Sequence, residues 1–427
     1  MTSLTSGSGA STGRRTVTAW LLYDFANSAY VAVIPATVYS KYYALTVVGN
    51  AQGQGDFWWG LAVTVSMVLV AILSPCLGAV ADRAGVRKRF LASFTYLSVG
   101  ATALMATVGP GDVAWGFVLA VVATVGFEAG LVFYNAYLPE LAPPGGRGRL
   151  SAHGFACGYA GSALALLAAL PFALRDRFGA TFLIAAGLYG MFALPAMRYL
   201  PADPPGRLPV LRAARHGVEE ALRTLRGLAR TPDLRGFLLA YLFFEDGVNT
   251  VVYFSAVFAG HTLGFTTTEV IGLYFAVQLS ALAGAWLWAR PIDRWGPKRV
   301  VQVTLVQWLL VVIATYFVTT KPQFYVVALF AGSGLGSIQA AARAFMASLI
   351  PPGREAELFG FYSLCGKTAA MMGPVIFGGV SWLTGGNQRA AILAVGVMFV
   401  VGLALLGRVQ AGGPAPLPSS QPQEAPS

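Results

Sequence analysis

Charge is scarce in this chain: Asp, Glu, Lys and Arg together make up 11% of its 427 residues, against roughly 25% in an ordinary soluble domain. That excludes a water-soluble enzyme with exposed helices. It also excludes a disordered chain, which needs many charges and few apolar residues. Cysteine and histidine are equally sparse, at 3 each. Cys76, Cys157 and Cys365 sit singly inside apolar stretches, so neither a disulfide framework nor a metal site is expected. His153, His216 and His261 are scattered, with no nucleophile–base or ligand spacing around them, and no enzyme activity is expected. A phosphate-binding G-x-x-x-x-G-K-[ST] loop is missing too, so neither direct use of ATP nor any cofactor is anticipated.

Apolar residues are what the chain has in excess: 56% of the total, with a mean hydropathy of +0.64. They form continuous runs, unlike the short alternating segments of a β-barrel. At about 20 residues per crossing, the runs predict twelve transmembrane helices. The first six lie near 17–47, 57–81, 90–109, 113–141, 151–174 and 179–200. The others lie near 235–260, 268–290, 299–319, 323–349, 357–383 and 388–408. The expected fold is an all-α membrane protein.

The net charge of +11 would suit nucleic acid, but its placement argues for topology. Basic residues cluster in alternate loops: Arg14 and Arg15; Arg83 with Arg87, Lys88 and Arg89; Arg147 and Arg149; the stretch 207–235; and Arg290, Arg294, Lys298 and Arg299. The intervening loops carry few. This asymmetry puts both termini in the cytoplasm, in a bacterial inner membrane, with no nucleic-acid partner. The chain divides into a disordered tail (1–16), a first six-helix bundle (17–200), a linker (201–234), a second bundle (235–409) and a Pro/Ser/Gln-rich tail (410–427). Within the linker, Leu211, Val218, Leu222, Leu225 and Leu228 mark an amphipathic basic helix, expected to lie on the membrane surface. Lipid and a small solute are the expected partners of a monomer.

The two bundles repeat each other. Pro143-Pro144-Gly145 recurs 208 residues later as Pro351-Pro352-Gly353, and Cys157-Gly158 at the same offset as Cys365-Gly366. Asp82-Arg83 with Gly85 returns 211 residues later as Asp293-Arg294 with Gly296. Asp24-x-x-Asn27-Ser28 is matched by Asp246-x-x-Asn249-Thr250. Four ordered matches point to a duplicated six-helix unit, with a site between pseudo-symmetric halves.

The segment Gly78-Ala-Val-Ala-Asp82-Arg83-Ala-Gly85-Val-Arg87-Lys88-Arg89 resembles the signature loop of the major facilitator superfamily. Glycine there allows close helix approach and a tight turn, and the aspartate suits a neighbouring helix N-terminus. The resemblance implies a gating role for Gly78, Asp82, Arg83 and Gly85, and by repetition for Asp293 and Arg294. Ionisable groups at membrane depth are costly and usually functional; here they are Asp24, Glu128, Glu245, Asp246, Arg343 and Lys367. Asp24, Asn27 and Ser28 share one helix face by their i, i+3, i+4 spacing, as do Asp246, Asn249 and Thr250. Both triplets are expected to face the bundle interior. Pro35 and the glycines at 332–336 are expected to supply a kink and close packing.

The string Trp20-x-x-Tyr23-Asp24-Phe25-Ala26-Asn27-Ser28-Ala29-Tyr30, together with Phe133-Tyr134-Asn135-Ala136-Tyr137-Leu138-Pro139-Glu140, Gly158-Tyr159 and Asp246-Gly247, narrows the resemblance. So do Gln339-Ala340 with Arg343, Ile350-Pro351, Glu357-Leu358-Phe359-Gly360-Phe361-Tyr362, Lys367 and Gly373-Pro374. The set resembles the branch that includes the autophagy-related vacuolar amino-acid effluxer of yeast and its bacterial relatives. That implies a secondary transporter of amino acids or similar zwitterions working by alternating access. The residues expected to bind or couple are Asp24, Asn27, Ser28, Glu128, Asn135, Asp246, Asn249, Gln339, Arg343 and Lys367. Arg343 is expected to receive a carboxylate and Asp24 or Asp246 an ammonium; a fixed ion pair is the competing reading. Asp24, Glu128 and Asp246 are the candidate acids for proton coupling. Two alternatives remain open at this point, a lysolipid carrier of the same superfamily and a membrane sensor that does not transport.

Overall fold

The computed structural model of the protein describes residues 6–49, 53–206, 208–228, 231–369 and 372–410. Every regular element among these is helical. The first crossing joins α1 (Ser6–Val33), α2 (Val38–Tyr42) and a π-helical turn, Tyr43–Val48. The rest of the first half is α3 (Gln54–Ala84), α4 (Arg87–Leu104), α5 (Val113–Asn135) with its short continuation α6 (Leu138–Leu141), α7 (Arg147–Ala173) and α8 (Phe178–Tyr199). The linker carries α9 (Val210–Leu228). The second half begins with α10 (Pro232–Leu263), α11 (Thr267–Trp295), α12 (Pro297–Phe317) and α13 (Lys321–Leu349). It ends with α14 (Glu355–Thr368), α15 (Met372–Leu383) and α16 (Gln388–Arg408). Among the described residues, eleven segments are long and apolar enough to cross a bilayer in one piece. The remaining crossing is shared by α14 and α15, which completes twelve.

Two expectations are corrected. The stretch 357–383 is not one helix, because α14 ends at Thr368 and α15 starts at Met372. Helix begins at Ser6, inside the stretch 1–16 expected to be a tail; residues 1–5 and 411–427 lie outside the described residues. The linker helix forms as expected. Ala213, Gly217, Ala221 and Thr224 are its buried face, while Leu222 and Leu225 are exposed and Leu228 is buried; the side chains of Leu211 and Val218 lie outside the description. Small residues win because α9 packs against α3: a Cβ on Gly217 would stand 3.0 Å from Val80 Cγ2. Leucine at these positions would hold the two backbones apart.

Pro35 interrupts the first crossing as expected, in a turn over Ile34–Thr37 closed by Ala36 N to Val31 O at 3.1 Å. Several basic residues read as topology markers are also structural. Arg87 donates to Glu140 at 2.9 Å and to Asp203 at 3.2 Å, and lies over the Tyr137 ring at 4.9 Å. The Lys88 ammonium donates to Leu200 O at 2.6 Å. Together they staple the start of α4 to the ends of α6 and α8.

Since α9 sits on α3 through its smallest residues, Gly217→Leu should overpack that seam by about 1–3 kcal/mol. The helix should lift while the bundles stay folded. Limited trypsin digestion at Arg212, Arg215 and Arg226, exposed on α9, should then run several-fold faster than in the unaltered protein. An unchanged digestion rate would count against this packing.

Candidate functional site

At the end of the molecule that carries the basic loops, two carboxylates close the seam between the halves. Asp82, in the last turn of α3, accepts from the backbone amides of Ala356 at 3.1 Å and Glu357 at 2.9 Å, in the first turn of α14. Asp293, in the last turn of α11, accepts from the Arg149 amide at 3.1 Å in the first turn of α7, and its other oxygen lies 3.5 Å from Arg149 Nε. Exposed amides and the helix dipole make each N-terminus a receptor for negative charge. Sequence repetition thus becomes geometric repetition. Glycine permits the approach on both sides: a Cβ on Gly78 would stand 2.3 Å from Ala356 O, and one on Gly148 2.3 Å from Ile292 Cγ2. Gly85 ends α3 with a φ of +61°, which favours glycine. Arg83 and Arg294 occupy the last turns of α3 and α11.

Above this seam lies Arg343 of α13, 3% exposed. Its Nη1 donates to Asp24 at 3.1 Å and to Asn135 at 3.3 Å. Its Nε donates to the Ser151 hydroxyl at 2.9 Å and its Nη2 to the Ser151 carbonyl at 2.7 Å. The guanidinium lies over the rings of Phe155 at 4.1 Å and Trp20 at 5.0 Å. Gly154 makes room: a Cβ there would stand 2.6 Å from both Arg343 Nη2 and Asp24 Oδ2. Arg343 therefore ties α13 to α1, α5 and α7. In this state the fork of Arg343 is engaged by protein, which is the ion-pair arrangement weighed from the sequence beside a carboxylate receptor.

Asp24 and Arg343 line the floor of a cavity of about 560 Å³, whose walls reach Ser255, Val270 and Phe324 toward the other end of the molecule. A second ion pair crosses it: Lys367 of α14 donates to Glu128 of α5 at 2.5 Å. The Tyr159 hydroxyl of α7 donates to Gln339 of α13 at 2.6 Å, again between the halves. Nine of the ten residues expected to bind or couple line this cavity: Asp24, Asn27, Ser28, Glu128, Asn135, Asn249, Gln339, Arg343 and Lys367.

Asp246 is the exception. It is fully buried and accepts from the amides of Met372 at 3.1 Å and Gly373 at 2.9 Å, and from the Thr250 hydroxyl at 3.4 Å. It caps the N-terminus of α15, where the broken crossing resumes. The expected shared face of Asp246, Asn249 and Thr250 divides: Asn249 is exposed to the cavity, whereas Thr250 is buried beside Asp246.

Sequence reasoning passed over Ser151 and Gly154, which complete the cage around Arg343, because neither residue type is rare in a membrane helix. It also left Glu245 out of the site. Repetition had selected its neighbour Asp246, yet Glu245 is the one that lines the cavity.

A family model described as "Vacuole effluxer Atg22 like" matches residues 60–412. An uncharacterized MFS-type transporter of Bacillus subtilis (strain 168), YxiO, is 30% identical over 409 residues, covering 91% of this chain and 94% of its own. Autophagy-related protein 22 of Cryptococcus neoformans is 30% identical over 289 residues, 61% of this chain and 50% of the fungal protein's length. Among solved structures, the human organic anion transporter MFSD10 superposes with a TM-score of 0.72 at 17% identity, over 92% of this chain and 99% of the other. The proton:xylose symporter XylE does so with 0.71 at 14% identity, over 93% and 95%. At such identities these likenesses establish the major facilitator fold alone.

Two predictions follow from the seam and the floor. Asp82→Asn and Asp293→Asn should each remove about 0.3–2 kcal/mol of charge–dipole stabilisation. A cysteine placed at the buried Ala347, in a background without the native thiols, should label several-fold faster from the basic end in either variant. Equal labelling would deny these carboxylates a role in closure. Arg343→Ala should leave Asp24 buried without its cation and cost about 3–5 kcal/mol, read as a lower denaturation temperature and yield. Asp24→Asn should do likewise. The double variant should cost clearly less than the two singles together.

Proposed function

Because the chain belongs to the Atg22-like vacuole effluxer family of the major facilitator superfamily, and is therefore a multi-pass membrane transporter, we propose that it moves a small zwitterion such as an amino acid by alternating access. In this reading the basic loops are cytoplasmic, in line with the positive-inside rule, and the protein sits in a bacterial inner membrane. The state described is then closed toward the cytoplasm, with its cavity turned outward.

The observation that carries the reading is the cavity itself. It lies between the halves, has the size of a small-solute site, and is crossed by two ion pairs, Asp24–Arg343 and Glu128–Lys367. Each pair has one partner in each half. Rocking the halves apart at the floor must exchange those partners for solute, water or protons, which links solute occupancy to the conformational step. A lysolipid carrier would instead call for an apolar cavity open sideways. The charged groups on this lining favour a small polar solute.

Proton coupling fits the same pairs. Of the three acids considered from sequence, Asp246 does not reach the cavity, while Asp24 and Glu128 do. A proton on Glu128 would release Lys367 from its cross-cavity partner. The test is counterflow of amino acids in proteoliposomes, repeated with an imposed pH gradient. Counterflow should be saturable, and the gradient should stimulate net transport several-fold. Glu128→Gln should lose the stimulation and keep counterflow. If no amino acid exchanges, the zwitterion reading falls; if Glu128→Gln still responds to the gradient, the coupling assignment falls.

A further inference from the structure

The cavity contains five ionisable groups, and four of them are matched. Asp24 neutralises Arg343 and Glu128 neutralises Lys367. Glu245, on the α10 wall, is the remainder. Among the described residues no donor pairs with it: the Lys367 charge acts on it, but the Lys367 hydrogen bond goes to Glu128. The cavity lining is thus left with one net negative charge. A carboxylate at membrane depth without a donor is costly, so it calls for a cation or a proton.

Its surroundings suit an organic cation. Tyr159, Tyr241 and Tyr362 line the same cavity, and Tyr241 and Tyr362 stack on each other with their centroids 4.1 Å apart. Aromatic walls of this kind accommodate the apolar substituents of an organic ammonium. The α1 wall carries the complementary feature. Asn27 is 3% exposed and lines the cavity, and its Nδ2 has no acceptor among the described residues. The cavity lining therefore holds one unpaired acceptor in the second half and, among the described residues, one buried unpaired donor in the first.

We propose that Glu245 receives the primary ammonium group of the transported solute, and that Asn27 donates to its carboxylate. The assignment rests on the small-zwitterion reading above and supplies its recognition chemistry. Asp24 and Asp246 are unsuited to the ammonium. The first already holds Arg343, and the second holds the amides of α15.

The test uses the full-length purified protein and two probe series. One is norvaline with butylamine and pentanoate; the other is phenylalanine with phenethylamine and 3-phenylpropanoate. Ligand-induced thermal stabilisation is titrated for each. The amine-bearing members should stabilise the unaltered protein and the bare carboxylates should not. Glu245→Gln should weaken the amine-bearing probes about tenfold or more, the range of a lost hydrogen bond to a charged group, and Glu245→Asp should recover part of that. Asn27→Ala should weaken norvaline or phenylalanine and leave the two amines unchanged, which tests the arrangement independently should Glu245→Gln fail to fold. Unchanged amino-acid affinity in folded Glu245→Gln would overturn the proposal and leave the zwitterion reading standing. Binding of the amines alone, lost in Glu245→Gln, would keep the ammonium site and sink the zwitterion reading. Stabilisation by the carboxylates only, or by no probe, would overturn both. If Glu245→Gln abolishes gradient-driven transport with probe affinities intact, Glu245 carries a proton and the proposal fails.

Discussion

A guanidinium, that of Arg343, is buried in the interior of this membrane protein, and much of its surroundings is organised to satisfy it. Arginine presents five donors in a rigid fork, and three helices of the opposite half converge on Arg343 to accept from it. Asp24 supplies the counter-charge, Asn135 and Ser151 supply neutral acceptors, and Gly154 leaves the volume they need. Aromatic rings from Trp20 and Phe155 cover the remaining faces. The result is a floor that belongs to both halves at once. One half holds the cation and the other its acceptors, so the floor joins the two halves through a single side chain. Everything above it is a cavity, and everything below it is seam.

The acids of the transmembrane region then separate by task. Asp82, Asp293 and Asp246 each sit at the N-terminus of another helix, respectively α14, α7 and α15. Such a site gives a carboxylate hydrogen bonds and a favourable dipole, to which Arg149 adds a cation 3.5 Å from Asp293. Asp24 and Glu128 are held by cations of the opposite half. Glu245 is the remaining acid of the cavity. Two kinds of retention, dipolar and ionic, account for the others, and they differ in what breaks them. The dipolar contacts yield to separation of helix ends. The ionic contacts yield to a competing charge or a proton.

Much of this was legible in the sequence. The twelve apolar runs and the duplicated loops carry the fold, because membrane depth imposes length and hydrogen-bond closure on every crossing. The cost of charge in lipid likewise marked Asp24, Glu128, Arg343 and Lys367 as interior. Pairing was beyond reach, since it depends on which helices from two distant halves share a depth. Repetition misled at Asp246. Its D-x-x-N-[ST] pattern copies that of Asp24, but the break between α14 and α15 gives it a helix end to cap, and Glu245, one residue earlier, turns to the cavity instead. In the linker the helix was legible but its packing was not: Ala213, Gly217 and Ala221 supply the contact with α3, because backbone proximity matters more there than apolar area.

The linker also bears on how the halves are held together. Thr224 of α9 donates to Glu357, which also pairs with Arg354 at 2.8 Å, and the amide of the same Glu357 donates to Asp82. One residue at the start of α14 therefore meets both Asp82 of the first half and the helix that covers it. The buried small-residue face of α9 lies on α3, while Thr224 links the same helix to α14. The linker is thereby part of the closed seam: the contacts of Thr224 and of Asp82 meet at Glu357, so α3, α9 and α14 hold this end of the molecule together.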